Sequence, residues 1–474
     1  MTSGRRARGR RWYRSLWVPV ALLVTILAGY VAADINDVAP GLLTTEPEPE
    51  PELPFPQQIE LAQPVVAIAG PSQEATGVDP GAAAAIVDQL LADPVIGAEA
   101  GVLVADVVTG AELAASNADL PHVPASNTKL LTATAAIATA GASFRFTTSV
   151  MTGAPGQIVL VGGGDLALAP GAGDPGAVVG HAGLGDLATA TAAALTEAGT
   201  TTVTLGLDTS YYAGPSLAPR WDAADLSIGD AMHMSPLAIN LGRIEGARTR
   251  DTDAAGTAAA TFSQALAAAG ITVTGAVELV QAPPEATELA AVYSAPLGDL
   301  AADMLQRSEN ILAEGIGRLV AHEMDLEPSF VGAGEAVSAA LASIGVDVTG
   351  LSLADCAGLS STNQISPRTL VDSLLQISRR PMLSAVARGL PVAGLEGTLI
   401  NRFPDVPGAG LVQAKTGTLY TVTALSGFVM TADGRLLAFA AVADNVPQGS
   451  TRAARDAVDS FAQALARCGC AESS

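Results

Sequence analysis

The stretch "PASNTKLLTA", residues 124–133, contains one of only two lysines in the 474-residue chain. The other is Lys415, in "VQAKTGTLY", residues 412–420. The remaining 22 of the 24 basic side chains are arginine. A surface charge could be either residue, but a proton-shuttling amine could not be arginine, which stays protonated at any working pH. An ammonium is moved toward neutrality by burial and by neighbouring positive charge. In a helix, positions i and i+3 share a face about 5–6 Å apart, so Ser126 and Lys129 set a hydroxyl beside an amine. Serine attacks only when a base takes its proton, and a helix N-terminus favours the resulting oxyanion. The expectation is an Ala- and Leu-rich helix over "SNTKLLTATAAIATA" whose first turn holds both residues, with Lys415 as the second cation that lowers Lys129.

Apolar "GLVQ" precedes Lys415, which places it on a strand beside the active face. Gly417 would let a substrate backbone approach closely, since a Cβ there would block strand-like docking. Thr416 and Thr418 can hydrogen-bond a carboxylate that Lys415 attracts. The backbone N–H of Thr418 is a candidate to share an oxyanion hole with that of Ser126. Between the two lysines lies "QRSENILAE", residues 306–314. Its Ser308 and Asn310 can face one cleft, one relaying protons and the other holding Lys129 and a substrate amide.

Ser-x-x-Lys, Ser-x-Asn and Lys-Thr-Gly stand in the order used by active-site serine penicillin-interacting enzymes. Ser126 and Ser308 are too far apart for a compact β-lactamase domain. Together with "LVGGGDLAL", "APRWDAAD", "DCAGLSSTNQISP" and "LPVAGLEGTLINR", this resembles the penicillin-binding protein 4 family of D-alanyl-D-alanine carboxypeptidases and endopeptidases, peptidase family S13. The resemblance runs from about residue 75 to 465. It implies an α/β (α+β) fold: a serine penicillin-binding, β-lactamase-like domain, with an antiparallel sheet flanked by helices and interrupted by a large inserted module. It further implies Ser126 as acylated nucleophile, Lys129 as general base, and Ser308 and Asn310 as the second motif. Lys415, Thr416 and Thr418 would bind the terminal carboxylate, with Gly417 beside them in the substrate-binding strand. Asp222, beside Trp221, is the candidate for the distal amine of the stem peptide, with a plain loop aspartate as the other reading. Leu359 and Ser361 would line the cleft, although some relatives carry arginine at the latter position. Asp355, Gly358 and "GLEGTL" read as loop-shaping, and Cys356 is given no chemistry.

On this reading the substrates are peptidoglycan stem peptides and the inhibitors are β-lactam antibiotics, with neither cofactor nor metal required. A β-lactamase-like hydrolase and a non-catalytic wall-binding protein are the alternatives. The former would need a dedicated water-activating base, for which no residue stands out. No G-x-S-x-G precedes a plausible late histidine. The four histidines, His122, His181, His233 and His322, are dispersed and read as structural or surface.

Net charge is −23, yet six arginines fall in the first fourteen residues, so the body is more acidic still. Such a body argues against nucleic acid as a partner, since phosphate binding needs a basic face. After the arginines, Leu16 to Ala33 carries no charge. This is an export segment over 1–34, either an uncleaved anchor in the cytoplasmic membrane or a cleaved signal peptide. Residues 35–74, with "TTEPEPEPELPFPQQ", read as an extended spacer. The folded parts expected are 75–146 and 291–474 for the penicillin-binding domain and 147–290 for the insert, all outside the cytoplasm.

Within them, "DPGAAAAIVDQLLAD" reads as an Asp-capped helix with Ile86, Leu90 and Leu91 on one face. "EAGVLVADVVTGAELAASN" reads as two strands around a Thr-Gly turn, and "ALSGFVMTADGRLLAFAAVADN" as a hairpin. "GSTRAARDAVDSFAQALARC" reads as a capped amphipathic helix. Both ends of the chain therefore complete one antiparallel sheet. The middle shows Gly-rich turns, short Val/Thr strands and Ala-rich helices. Cys356 could pair with Cys468 or Cys470, leaving one thiol over.

Overall fold

In the computed structural model, residues 21–31, 75, 77–97, 99–403 and 409–468 are described. Of the N-terminal unit, Met1–Ile68, this covers one helix, α1 (21–31), with exposed side chains. Among the described residues no helix is long and apolar enough to cross a membrane. The rest of the expected export segment and nearly all of the spacer lie outside the described residues.

The second unit, Ala69–Ser474, opens with α2 (Pro80–Leu91), whose first turn is capped by Asp79 through the N–H groups of Gly81 and Ala82. Its buried face is Ala83, Val87 and Leu90; Ile86 and Leu91 are only half-buried. The spacing i, i+4, i+7 sets that face, and the expected one is rotated from it. β1 (Gly101–Asp106) and β2 (Glu112–Ser116) form the first hairpin. Its turn is closed by Asp106 Oδ1, which accepts from Thr109 N at 2.8 Å.

From the far end of the chain come β9 (Val412–Leu419), β10 (Val422–Met430) and β11 (Leu436–Ala443). The five strands make an antiparallel sheet in the order β2-β1-β11-β10-β9. Both ends of the chain thus complete one sheet, as the strand pattern requires. β1 is buried along its whole length. Val102 and Val104 face a layer containing α2 and α12 (Thr451–Arg467), while Leu103 and Ala105 face the opposite core. The cap expected on α12 is absent: Ser450 makes no side-chain cap bond. Thr451 Oγ1 instead donates to Tyr420 O at 2.6 Å.

The helical core on the other face holds α3 (Thr128–Thr139), α7 (Leu297–Arg307), α8 (Asn310–Glu323), α9 (Phe330–Ser343), α10 (Pro367–Arg379) and α11 (Ser384–Gly389). A second, mixed sheet comes from β3 (Thr147–Thr152), β4 (Gln157–Gly163), β5 (Thr202–Asp208), β6 (Thr272–Val273), β7 (Glu278–Leu279) and β8 (Glu288–Tyr293). Helices α4 (Leu184–Glu197) and α6 (Ala254–Ala268) cover it, giving this sheet its own apolar core. The short helix α5 (Ala223–Ile228) belongs to a different layer. Around it, Trp221, Met232, Met234 and Leu241 pack into the helical core beside the first sheet. One stretch of the middle of the chain is therefore part of the wall of the catalytic-motif region.

Candidate active site

Ser126 lies in a 3-10 turn, Ala125–Asn127, and α3 begins only at Thr128. The expected helix thus starts as a 3-10 turn, and Ala125, at the head of that turn, takes left-handed backbone, φ 48°. A side chain with a Cβ adopts that region only where its surroundings enforce it. Here Gly358 packs against the turn: a Cβ at Gly358 would fall 1.9 Å from Ala125 O. Lys129 follows in the first turn of α3 and is fully buried. Its Nζ is 3.0 Å from Ser126 Oγ, 2.7 Å from Asn310 Oδ1 and 2.6 Å from Ala357 O.

The second motif sits at a hinge. Ser308 ends α7 in left-handed backbone, φ 56°, and Glu309 caps α8. The turn aims Ser308 Oγ at Lys415 Nζ (3.0 Å) and Asn310 at Lys129. Asn310 Nδ2 donates to Asp230 O at 2.8 Å. Lys415 is also fully buried and donates to its neighbour's carbonyl, Thr416 O, at 2.9 Å. The three motifs thus form two hydrogen-bonded groups, Ser126–Lys129–Asn310 and Ser308–Lys415, joined through the Ser308–Asn310 turn, on β9 at the edge of the first sheet and on the starts of α3 and α8. Thr416 Oγ1 lies 2.9 Å from Thr398 Oγ1, so "GLEGTL" does shape the site. Thr418 is exposed, Leu359 half-buried and Ser361 exposed.

Burial decides the charge states. Desolvation lowers Lys129 to about 8, against the pull of Asp355, Glu309, Glu314 and Asp230. Lys415 is driven well below the usual amine range, first by burial, then by the positive charge of Lys129 and Arg402. The second cation was expected to depress Lys129. In the structure the repulsion bears on Lys415, because carboxylates surround only Lys129.

A family model described as D-Ala-D-Ala carboxypeptidase 3 (S13) matches residues 83–256 and 245–465. The chain belongs to this S13 family. A carboxypeptidase of Mycobacterium tuberculosis is 36% identical over 88% of this chain and 89% of its own. Carboxypeptidase DacB of Mycolicibacterium smegmatis is 35% identical over 98% of this chain and 99% of its own. Penicillin-binding protein 4 of Haemophilus influenzae superposes with a TM-score of 0.67 at 24% identity. That match covers 80% of this chain and 98% of that one, and it shows the same fold. As an S13 member the chain is a D-Ala-D-Ala carboxypeptidase-type hydrolase on a serine penicillin-binding fold, with helices around an antiparallel sheet.

Several residues that hold this S13 site together escaped the sequence reading. Glu309, between the two motif residues, takes Arg250 at 2.7 Å and Arg243 at 2.5 Å, both from the middle of the chain. Arg250 also donates to Gly229 O and Leu241 O, so it ties the α5 segment to the start of α8. Glu314 accepts the N–H groups of Cys356 and Ala357, each at 2.8 Å, and so aims Ala357 O at Lys129. Asp355 shapes its loop, as expected, by accepting from Gly358 N, Ser360 N and Asn363 Nδ2. It also receives Trp221 Nε1 at 3.0 Å. Cys356 is a buried free thiol whose pKa burial pushes up, which suits an inert role. Cys470 lies outside the described residues.

Asp222 caps α5, accepting from Ala224 N at 2.7 Å and Asp225 N at 3.1 Å. Trp221 and Asp230, on either side of α5, hold it against Asp355 and Asn310.

Gly417 has a different reason from the expected one. A Cβ there would lie 2.7 Å from both Pro124 O and Asn127 Nδ2, so β9 rests directly on the turn carrying Ser126. Gly417→Ala should push that turn away and lower stability by roughly 1–3 kcal/mol, the scale of overpacking. Thermal melting and the rate of β-lactam acylation check this. An unchanged rate would mean the strand does not position Ser126.

Proposed function

We propose that the chain is a serine D,D-peptidase that cleaves the D-Ala-D-Ala bond of peptidoglycan stem peptides through an acyl-enzyme on Ser126. The observation that carries this reading is the buried amine of Lys129, held between Ser126 Oγ and Asn310 Oδ1. Ser126 Oγ attacks the penultimate carbonyl while neutral Lys129 takes its proton. The tetrahedral oxyanion is stabilised by the N–H groups of Ser126 and Thr418. Collapse breaks the amide, and the departing D-alanine amine takes up a proton relayed through Ser308. Water then attacks the ester, releasing the shortened peptide and restoring the Ser126 hydroxyl.

Lys415, Thr416 and Thr418 bind the terminal carboxylate along the outer edge of β9 beyond Ala414, whose N–H is already taken by Pro391 O, and there a peptide can lie strand-like. Leu359 and Ser361 border the cleft from the loop packed on the Ser126 turn. Asp222, presented at the start of α5, meets the distal amine of the stem peptide. A cross-link used as acyl donor would make the same chemistry endopeptidase. β-Lactams acylate Ser126 and leave slowly, because the lactam amine stays tethered. The substrate places the enzyme outside the cytoplasm, with the N-terminal segment either cleaved or anchoring it to the membrane.

The test is intact mass after incubation with benzylpenicillin. A persistent one-drug adduct supports the reading, rapid drug turnover without adduct points to a β-lactamase, and neither outcome would leave a non-catalytic wall-binding protein.

The pH dependence follows from Lys129. Its neutral form is the base, so acylation should rise with pH and level off above about 8. Each unit below should cost about tenfold. Asp355 is the foremost carboxylate holding Lys129 charged. Asp355→Asn should therefore move the limb to lower pH, read from acylation rates across it. A limb that stays in place would separate it from Lys129.

A further inference from the structure

Arg318 lies on α8, eight residues beyond Asn310, with 1% of its side chain exposed. Its Nη1 donates to Glu314 O at 3.0 Å and to Glu314 Oε2 at 3.3 Å. Nε is buried and has no acceptor among the described residues, and Nη2 likewise makes no bond there. The rings of Phe330 and Tyr212 flank the guanidinium, with centroids 4.1 and 5.0 Å away. Glu314 compensates Arg318 only in part, because its other oxygen serves two backbone N–H groups and burial pushes its pKa up to about 7. A buried guanidinium with unused donors is costly unless an anion meets it.

Arg318 lines a cavity of about 350 Å³ that lies apart from Ser126 and its partners. Tyr212, whose hydroxyl is buried without a partner, lines it too. The lining also holds the exposed carboxylate of Asp253, which caps α6 by accepting from Gly256 N at 3.1 Å, and the hydrogen-bonded pair Ser216–His233. The volume sits at the small end of ligand pockets, roughly 300–1,000 Å³. A buried cation and an exposed carboxylate in one lining match a zwitterion. From Arg318 a continuous path reaches the catalytic amine. It runs through Glu314 Oε2, then Glu314 Oε1 to the N–H of Ala357, then Ala357 O to Lys129 Nζ.

We propose that this cavity is a second binding site, for a small zwitterionic ligand of amino-acid or dipeptide size. Its carboxylate lies on Arg318, its ammonium at Asp253, and its occupancy alters the reactivity of Lys129. Two sources share this chemistry. One is free D-alanine, whose supply as product rests on the reaction proposed above, and the other is a free dipeptide such as D-alanyl-D-alanine. A ligand that changes the acylation rate through this path must bind the free protein and the transition state for acylation with different affinity.

The experiment is calorimetric titration of the full chain, first blocked at Ser126 with benzylpenicillin so that the cleft is filled. D-alanine, D-alanyl-D-alanine and acetate are titrated separately. Saturable binding of either zwitterion is expected, weakened at least roughly tenfold in Arg318→Met, the scale of one charge-assisted hydrogen bond. Asp253→Asn, which keeps a helix-capping side chain, should weaken the zwitterions but not acetate. Binding of D-alanine marks the product as ligand; binding of the dipeptide alone marks a free dipeptide. A saturating zwitterion should also change the acylation rate of unblocked wild type, and not that of Arg318→Met.

Absence of binding, or binding indifferent to both substitutions, would overturn the site. Binding with no effect on acylation would overturn its coupling to Lys129. If benzylpenicillin forms no adduct, the catalytic reading fails first. The dependence of binding on Arg318 and Asp253 then still decides the site, since neither residue belongs to the cleft.

Discussion

Ser126→Ala is expected to abolish covalent labelling by benzylpenicillin and to lower D-alanine release from a pentapeptide by about 10⁴-fold or more, the scale seen when an activated nucleophile is removed. Its Oγ is the only group of the Ser126 side chain that can attack, and it lies 3.0 Å from Lys129 Nζ. The replacement leaves the neighbouring bonds of Lys129 to Asn310 and Ala357 in place, so the fold should melt near the wild-type temperature. Intact mass read beside a thermal melt separates loss of chemistry from loss of structure. A one-drug adduct on the Ser126→Ala variant would show that another residue is acylated and would sink the mechanism.

The second large effect belongs to Lys129. Lys129→Met should lower acylation by about 10²–10⁴-fold, the range for a positioned general base. Lys129→Arg should be as slow, because a guanidinium keeps the charge but cannot accept a proton at working pH. This pair distinguishes proton transfer from electrostatic attraction, since a role in attraction alone would be partly restored by arginine. Both variants disturb a buried amine whose acceptors, Asn310 Oδ1 and Ala357 O, depend on it. Each variant is therefore compared with wild type at a temperature well below its own melting point. Normal acylation in the arginine variant would remove Lys129 from the role of base.

Much of this site is legible without any coordinates. Lysine occurs only twice, and each time beside a small hydroxyl-bearing motif; the geometry then brings both amines into one cluster with Ser308 and Asn310. The closing of one sheet by the two ends of the chain follows from strand alternation and turn residues at each end. Where expectation and structure part, the causes are local. The face of α2 differs because its Ala-rich sequence gives a weak apolar stripe, and alanine buries as readily as isoleucine. The start of α3 differs at the 3-10 turn of Ser126, against which Gly358 packs from more than two hundred residues away in sequence.

Short windows of the chain carry the family, the catalytic motifs and the first sheet, because hydroxyl–amine spacing and period-two strands are local patterns. How the motifs are held is a matter of tertiary packing. Glu309 meets Arg243 and Arg250 across 66 and 59 residues, and Lys129 meets Ala357 across 228. Packing likewise sets Gly417 against the Ser126 turn and leaves Arg318 facing a cavity with donors to spare. Such pairings leave no periodic trace, because they are fixed by which buried polar groups find partners once the cores have packed.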